Sequence, residues 1–183
     1  MNRGDYMLID LSEVLSEPHK PLDVTAACTM RTFQGKAGVY PVVPEEDAHI
    51  TAEYRGSGKL LINGECRLKV LIPCDRCLKE IPVEFDLNFT KRVLVSEPEE
   101  DSGQTEEYDE ANYIDGYHLD VDKLLYNEIL IGWPMKVLCC EDCKGMCSVC
   151  GQNLNEGTCD CEDPGLDPRM SVIRDVFKNF KEV

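Results

Sequence analysis

Seven of the eleven cysteines fall within 23 positions, in the run CCEDCKGMCSVCGQNLNEGTCDC from Cys139 to Cys161. They are Cys139, Cys140, Cys143, Cys147, Cys150, Cys159 and Cys161. In Cys147-Ser148-Val149-Cys150-Gly151 the two intervening residues let both thiolates face one ion, and the glycine relieves the tight turn. Zinc takes four thiolates tetrahedrally without imposing a d-electron preference. The nearest second pair is Cys159 and Cys161, although Cys139 or Cys143 could replace a member of either pair. A single spacing of this kind is weak evidence; the whole cluster points strongly to metal.

The compartment bears on the same question. The opening MNRGDYMLIDLSEVLSEPHK lacks the uninterrupted apolar core of a signal peptide. No stretch approaches the roughly 20 apolar residues that cross a bilayer. The longest candidate, Leu124 to Leu138, is broken by Asn127, Glu128, Pro134 and Lys136. The expectation is a cytoplasmic protein with no membrane association. Structural disulfides are uncommon there. The odd cysteine count and the tight clustering also weigh against a disulfide scaffold, which leaves metal as the leading explanation.

A second C-x-x-C lies far upstream, at Cys74-Asp75-Arg76-Cys77. A redox dithiol typically sits at a helix N-terminus, where the nucleophilic thiol is more easily ionised. Here Leu71-Ile72-Pro73 leads in and a strand-like run follows, so a hairpin connection fits better than a thiol redox centre. Cys74, Cys77, Cys139, Cys143, Cys147, Cys150, Cys159 and Cys161 are eight thiols, enough for two four-coordinate zinc sites. Cys74 and Cys77 are expected to join the C-terminal cluster, in one site or as part of a second, so that metal ties the sheet domain to the tail. An iron–sulfur cluster is the chief competitor, but the ferredoxin run of repeated two-residue gaps is absent. Cys28, Cys66 and Cys140 read as buried or incidental thiols. The three histidines, His19, His49 and His118, are isolated, and there is no HExxH, phosphate-binding glycine loop or G-x-S-x-G elbow. No enzymatic activity and no small-molecule substrate are expected.

The remaining pattern predicts an α+β fold: an antiparallel β-sheet or small open barrel with a few helices and a C-terminal cysteine-rich zinc knuckle. Residues 1–96 form the mainly β core domain. Ile9, Leu11, Val14 and Leu15 suggest a short helix with Ser12 as its cap, ended by Pro18 and Pro21. Leu22, Val24, Ala26 and Cys28 alternate as a strand does. Tyr54 to Gly58 is turn-like. Lys59–Glu65 and Arg67–Ile72 read as two strands around an Asn63-Gly64 turn, the pair favoured in tight hairpins. Ile81, Val83, Phe85, Leu87 and Phe89 make the clearest amphipathic strand, with Pro82 near its start.

Residues 97–112 are expected to be an acidic, disordered linker; the run from Glu97 to Glu110 holds eight acidic and no basic residues. Residues 113–138 should supply a strand, Tyr113 to Leu119, and a helix capped by Asp120 or Asp122 that packs on the core. Leu125 and Ile129 share a face of it, and Gly132-Trp133-Pro134 ends it, with Trp133 a core anchor. Residues 139–163 form the zinc-binding cysteine cluster. Residues 164–183 carry a turn from Pro164 to Pro168 and then a C-terminal helix with Met170, Ile173, Val176, Phe177 and Phe180 as its apolar positions. Nineteen Lys and Arg stand against 35 Asp and Glu, a formal net charge of -16. Such a surface keeps a protein soluble and repels bare nucleic acid, so a basic protein partner suits it better than a phosphate backbone.

Several segments together resemble the YceD family of bacteria and plastids, the large ribosomal RNA subunit accumulation proteins, in the version found in low-GC Gram-positive bacteria. They are Ile9-Asp10-Leu11, Cys74-Asp75-Arg76-Cys77-Leu78, Leu119 to Pro134, Leu138 to Gly151, Asn153-Leu154-Asn155, Cys159-Asp160-Cys161 and Asp167-Pro168-Arg169. Cys140 stands where the resemblance leads one to expect a small polar residue, and it is left out of the ligand set. The resemblance implies a link to accumulation of large-subunit ribosomal RNA, and genes that neighbour that of a small zinc-containing ribosomal protein. It leads to the expectation of a non-enzymatic cytoplasmic factor in rRNA processing, stability or ribosome assembly. Acidity favours docking of a basic ribosomal protein of the large subunit; direct binding of precursor rRNA by a sheet surface and zinc knuckle is the rival.

Overall fold

The computed structural model describes residues 8–16, 20–95 and 111–161. The acidic run from Glu97 to Glu110, the turn at Pro164 and the helix proposed around Met170 to Phe180 lie outside them. The chain divides into two units. One takes the described residues up to Ile72 and from Glu80 to Lys136; the other takes Pro73–Lys79 and those from Val137 onward.

The first unit is built on antiparallel sheets. Its elements in chain order are β1 (Leu8–Asp10), α1 (Ser12–Ser16), β2 (Leu22–Ala26), β3 (Thr32–Gln34), β4 (Val39–Pro44), β5 (Ala48–Gly56), β6 (Lys59–Pro73), β7 (Glu80–Leu94), β8 (Ile114–Asp115), β9 (His118–Asp120) and α2 (Val121–Ile131). The larger sheet runs β2-β5-β6-β4-β3, with β7 also paired to β6. Among the described residues the path does not return from β3 to β2, so the layer is open rather than a closed barrel.

β6 organises that sheet. Leu60, Ile62, Gly64, Cys66, Leu68, Val70 and Ile72 are buried at every second position without a break, while Asn63, Glu65 and Arg67 face solvent. Period-two burial over this length is what a continuous central strand requires. β5 pairs with its first half, Ile50 opposite Gly64, and β4 with a stretch of its second, Val42 opposite Val70. The Asn63-Gly64 hairpin expected from the sequence is therefore wrong. Gly64 serves close packing instead: a Cβ built there would lie 2.3 Å from Phe89 Cζ and 2.9 Å from Ile50 Cδ1. Asn63 donates to Thr51 Oγ1 at 3.2 Å and accepts from Thr90 Oγ1 at 2.8 Å, bridging to both flanking strands. The actual turn between β5 and β6 is Ser57-Gly58, inside the segment read as turn-like. Both residues have positive φ, 51° and 72°, the backbone of a two-residue hairpin loop.

β7 contains the predicted amphipathic run and extends it to Leu94. Phe85, Leu87 and Phe89 are buried. β3 and β4 were not legible as strands. Ile9, expected in a helix, lies in β1 opposite Leu119. Ser12 is the first residue of α1 rather than its cap; its N–H donates to Asp10 Oδ1 at 2.8 Å. The strand expected from Tyr113 to Leu119 is two short strands, β8 and β9, joined through Gly116, whose φ is 59°. With β1 they form the smaller sheet, β1-β9-β8.

α2 begins where the sequence places it. The Asp120 carboxylate accepts from Lys123 N at 3.0 Å, and Val121, Leu124, Leu125 and Ile129 fill the buried face. Gly132 closes it, donating to Glu128 O at 2.9 Å. Trp133 then stacks on Phe33 with centroids 4.9 Å apart, and also meets Tyr40 and Phe85 at 5.1 and 6.2 Å. Expected as a core anchor, it is half-buried and packs in an aromatic cluster rather than in the core.

Candidate metal centres

Among the described residues, the second unit gathers thiols rather than a hydrophobic core. Its buried side chains, among the described residues, are Val137, Cys74, Cys77 and Cys143. Its only regular pairing among those residues is an isolated bridge between Met146 and Asn153. So little apolar burial cannot offset the entropy of ordering the segment, a condition in which small domains depend on metals or disulfides.

The eight thiols singled out in the sequence sort into two quartets that could each hold a metal ion. Cys74, Cys77, Cys139 and Cys143 form the first; Cys147, Cys150, Cys159 and Cys161 form the second. Within each, all four sulfurs lie within 4.8 Å of one another. The nearest second pair to Cys147 and Cys150 is thus their partner, and Cys74 and Cys77 join Cys139 and Cys143. In the first quartet Cys74 Sγ is 3.8 Å from Cys143 Sγ, and Cys77 Sγ is 3.6 Å from Cys139 Sγ. Sulfurs around 2.3 Å from a central ion at tetrahedral corners stand roughly 3.8 Å apart, so the donor set fits such an ion. A disulfide needs about 2.05 Å, and all eleven cysteines are free.

Two loops of the same geometry present the C-x-x-C pairs. The Gly151 N–H donates to Cys147 O at 3.0 Å, and the Leu78 N–H donates to Cys74 O at 2.9 Å. Both residues after the second cysteine have positive φ, 75° at Gly151 and 58° at Leu78. Glycine takes this conformation freely; a leucine is strained by about 1 kcal/mol. Leu78 is 58% exposed, so its side chain gains little from burial. Leu78→Gly is expected to raise the melting temperature of the metal-loaded protein by a few degrees. A lower melting temperature by calorimetry would show that the Leu78 side chain compensates for its backbone.

Backbone and side-chain donors converge on the sulfurs. Arg76 N and Cys139 N point at Cys74 Sγ at 3.5 and 3.4 Å, Val149 N at Cys147 Sγ at 3.4 Å, and Asn155 Nδ2 at Cys143 Sγ at 3.2 Å. Burial acts to raise the Cys74 thiol, but the N–H groups of Arg76, Cys77 and Cys139 outweigh it and bring it to about 6. The N–H groups of Cys150 and Val149 bring Cys147 to about 6. Crowding does the opposite to their neighbours. Cys143 and burial push Cys139 to about 11, and Cys150 and burial push Cys161 to about 12. In the first quartet Cys74 and Cys143 are thus lowered beside the raised Cys77 and Cys139, and in the second Cys147 is lowered beside the raised Cys159 and Cys161. A bound cation would remove that conflict.

The backbone around the first quartet is pinned by residues that lie within the sequence motifs but to which the sequence assigned no role. Asp75 N donates to Val137 O at 2.9 Å, and Val137 N donates to Asp75 Oδ2 at 2.7 Å. The Arg76 guanidinium donates to Cys143 O at 2.8 Å. Gly145 has a φ of 81° and faces Arg76 O, which a Cβ would approach to 3.1 Å. The thiols set aside behave differently. Cys28 and Cys66 are buried in the first unit. Cys140 is exposed, 3.7 Å from Cys139 Sγ but in neither quartet.

The chain belongs to the YceD family: the family model described as large ribosomal RNA subunit accumulation protein YceD matches residues 62–177, which contain both quartets. It is 28% identical over 144 residues to an Arabidopsis thaliana protein named large ribosomal RNA subunit accumulation protein YCED homolog 1, chloroplastic, covering 62% of this chain and 44% of that one. The protein of the same name from Zea mays is 25% identical over 150 residues, covering 68% of this chain and 51% of that one. An uncharacterized Mycobacterium bovis protein is 24% identical over 119 residues, covering 62% and 54%. The chain spans about half the length of the curated relatives it matches. No solved structure matches it significantly. Among the described residues, no helix is long and apolar enough to cross a membrane.

Proposed function

We propose that the protein is a non-enzymatic, zinc-binding factor that supports accumulation of large-subunit ribosomal RNA, acting in the cytoplasm through a basic ribosomal protein of the large subunit. The observation that carries this reading is the family match extending across both thiol quartets. A structural ion is favoured because each set of four free thiols fills four positions and leaves none open for catalysis, and zinc is favoured over an iron–sulfur cluster because the ferredoxin run of two-residue gaps is absent. The ion would be held by Cys74, Cys77, Cys139 and Cys143 at one site and by Cys147, Cys150, Cys159 and Cys161 at the other. Its contribution is structural: it fixes the fold of a segment whose described residues bury almost no apolar side chains.

Charge supports a protein partner. The described part of the second unit carries Asp75, Glu141, Asp142, Glu156 and Asp160 against Arg76, Lys79 and Lys144. A doubly charged cation on four thiolates leaves each site with further negative charge. That surface attracts a cationic protein and repels a phosphate backbone.

Depletion of the protein in its source organism is expected to lower large-subunit rRNA relative to small-subunit rRNA by several-fold. An unchanged ratio would contradict the reading. Affinity purification under nuclease treatment separates the two modes of action. Retention of a basic ribosomal protein supports docking, and complete loss of partners with nuclease would move the function to direct RNA binding.

A further inference from the structure

We infer that Asn155 couples the two metal sites, holding a ligand of the first from a loop that the second closes. The inference rests on the metal reading above. Asn155 lies between Cys150 and Cys159, two members of the second quartet, yet its side chain serves the first. Its Nδ2 donates to Cys143 Sγ at 3.2 Å and to Asn153 Oδ1 at 2.9 Å. Its Oδ1 accepts from Lys144 N at 2.8 Å, beside that same cysteine. The amide is thus oriented at both ends, so that an N–H rather than an oxygen faces the sulfur.

The loop that carries it is laced to the segment joining the two quartets. Leu154 N donates to Gly145 O at 2.9 Å, and Cys147 N donates to Gln152 O at 2.8 Å. Asn155 N donates to Asn153 Oδ1 at 3.0 Å, and Asn153 Nδ2 donates to Glu156 Oε1 at 3.1 Å. Binding at Cys147, Cys150, Cys159 and Cys161 fixes both ends of this loop and so sets Asn155 against Cys143. An N–H donor on a metal thiolate stabilises the charged sulfur, and loss of such supporting bonds typically weakens a site by roughly 10–100-fold. Filling the second site therefore tightens the first, and by linkage the first tightens the second. Asn155 is a positioning residue, and the Asn-Leu-Asn segment gains a physical role.

Asn155→Asp is the isosteric test. It keeps an oxygen for Lys144 N but turns an oxygen toward Cys143 Sγ in place of the donor. Full-length protein carrying Asn155→Asp, the double substitution Cys159→Ser with Cys161→Ser, and all three together would be titrated with Co2+ and then Zn2+, following the thiolate-to-cobalt absorption and the zinc stoichiometry. Asn155→Asp should still bind two ions, with the first site weakened roughly 10–100-fold and its cobalt band shifted. Emptying the second site should weaken the first by a similar factor, and Asn155→Asp should add little on top of that. Two ions bound with unchanged affinity in Asn155→Asp, or full additivity of the two effects, overturns the coupling while leaving the metal sites standing. A wild-type chain that binds no ion overturns both.

Discussion

Cys143→Ser should leave one zinc per chain instead of two and unfold the segment around the first quartet, while the second quartet still takes an ion, with reduced affinity. Four sulfurs meet at that site, and Cys143 is buried within it. Serine keeps the approximate shape but offers a hydroxyl that does not ionise at neutral pH, so three thiolates remain crowded without a fourth to complete the tetrahedron. Structural zinc supplies about 10–16 kcal/mol of folding free energy in small zinc-finger peptides. Among the described residues of this unit nothing else approaches that, since Val137 is their one buried aliphatic side chain. Cys140→Ser is the matched control, because Cys140 belongs to neither quartet, and should keep two ions. Amide exchange with mass detection reads the outcome locally: faster exchange at 74–79 and 137–146 with unchanged protection in β5 and β6. Uniform protection at both regions would show that the first quartet does not hold its surroundings together.

Gly64→Val should be the most damaging single substitution in the sheet. The added Cβ alone would enter space already filled by the Phe89 ring and Ile50, with contacts of 2.3 and 2.9 Å, and the two methyl groups need more room still. β6 is hydrogen-bonded to β5, β4 and β7, so it cannot shift without disturbing three neighbours. Overpacking of this kind costs about 3 kcal/mol, which for a chain of this size lowers the melting temperature by roughly 10 °C. Gly64→Ala should show part of that loss, and Gly64→Ala with Phe89→Leu should regain some of it by freeing space. An unchanged melting temperature for Gly64→Val would contradict the close packing of Phe89 and Ile50 against Gly64.

The Asn63-Gly64 pair shows where local reading fails. Asn-Gly is a strong hairpin signal, but the apolar alternation continues through it from Leu60 to Ile72, and burial on both sides decides the outcome. The same alternation identified β7, and the Asp120 cap with its apolar face identified α2. β3 and β4 are short, and β4 contains two prolines; they owe their form to pairing and to the Trp133 aromatic cluster, neither of which is visible along the chain. The thiol set was legible because C-x-x-C spacing is itself a coordination constraint. Spacing does not say how the thiols divide, because the Cys74 loop meets Cys139 and Cys143 only in the fold. Asp75, Arg76 and Asn155 were invisible as supporting residues, since what they contact lies about 10 to 70 positions away.

Native mass spectrometry of the full-length protein, purified with no added metal and compared with its denatured mass, bears most directly on the two quartets. Two zinc ions per chain, lost on denaturation with all eleven cysteines reduced, is the expected result. A folded chain with no metal and oxidised cysteines would contradict it, and iron with inorganic sulfide in their place would reassign the sites to electron transfer.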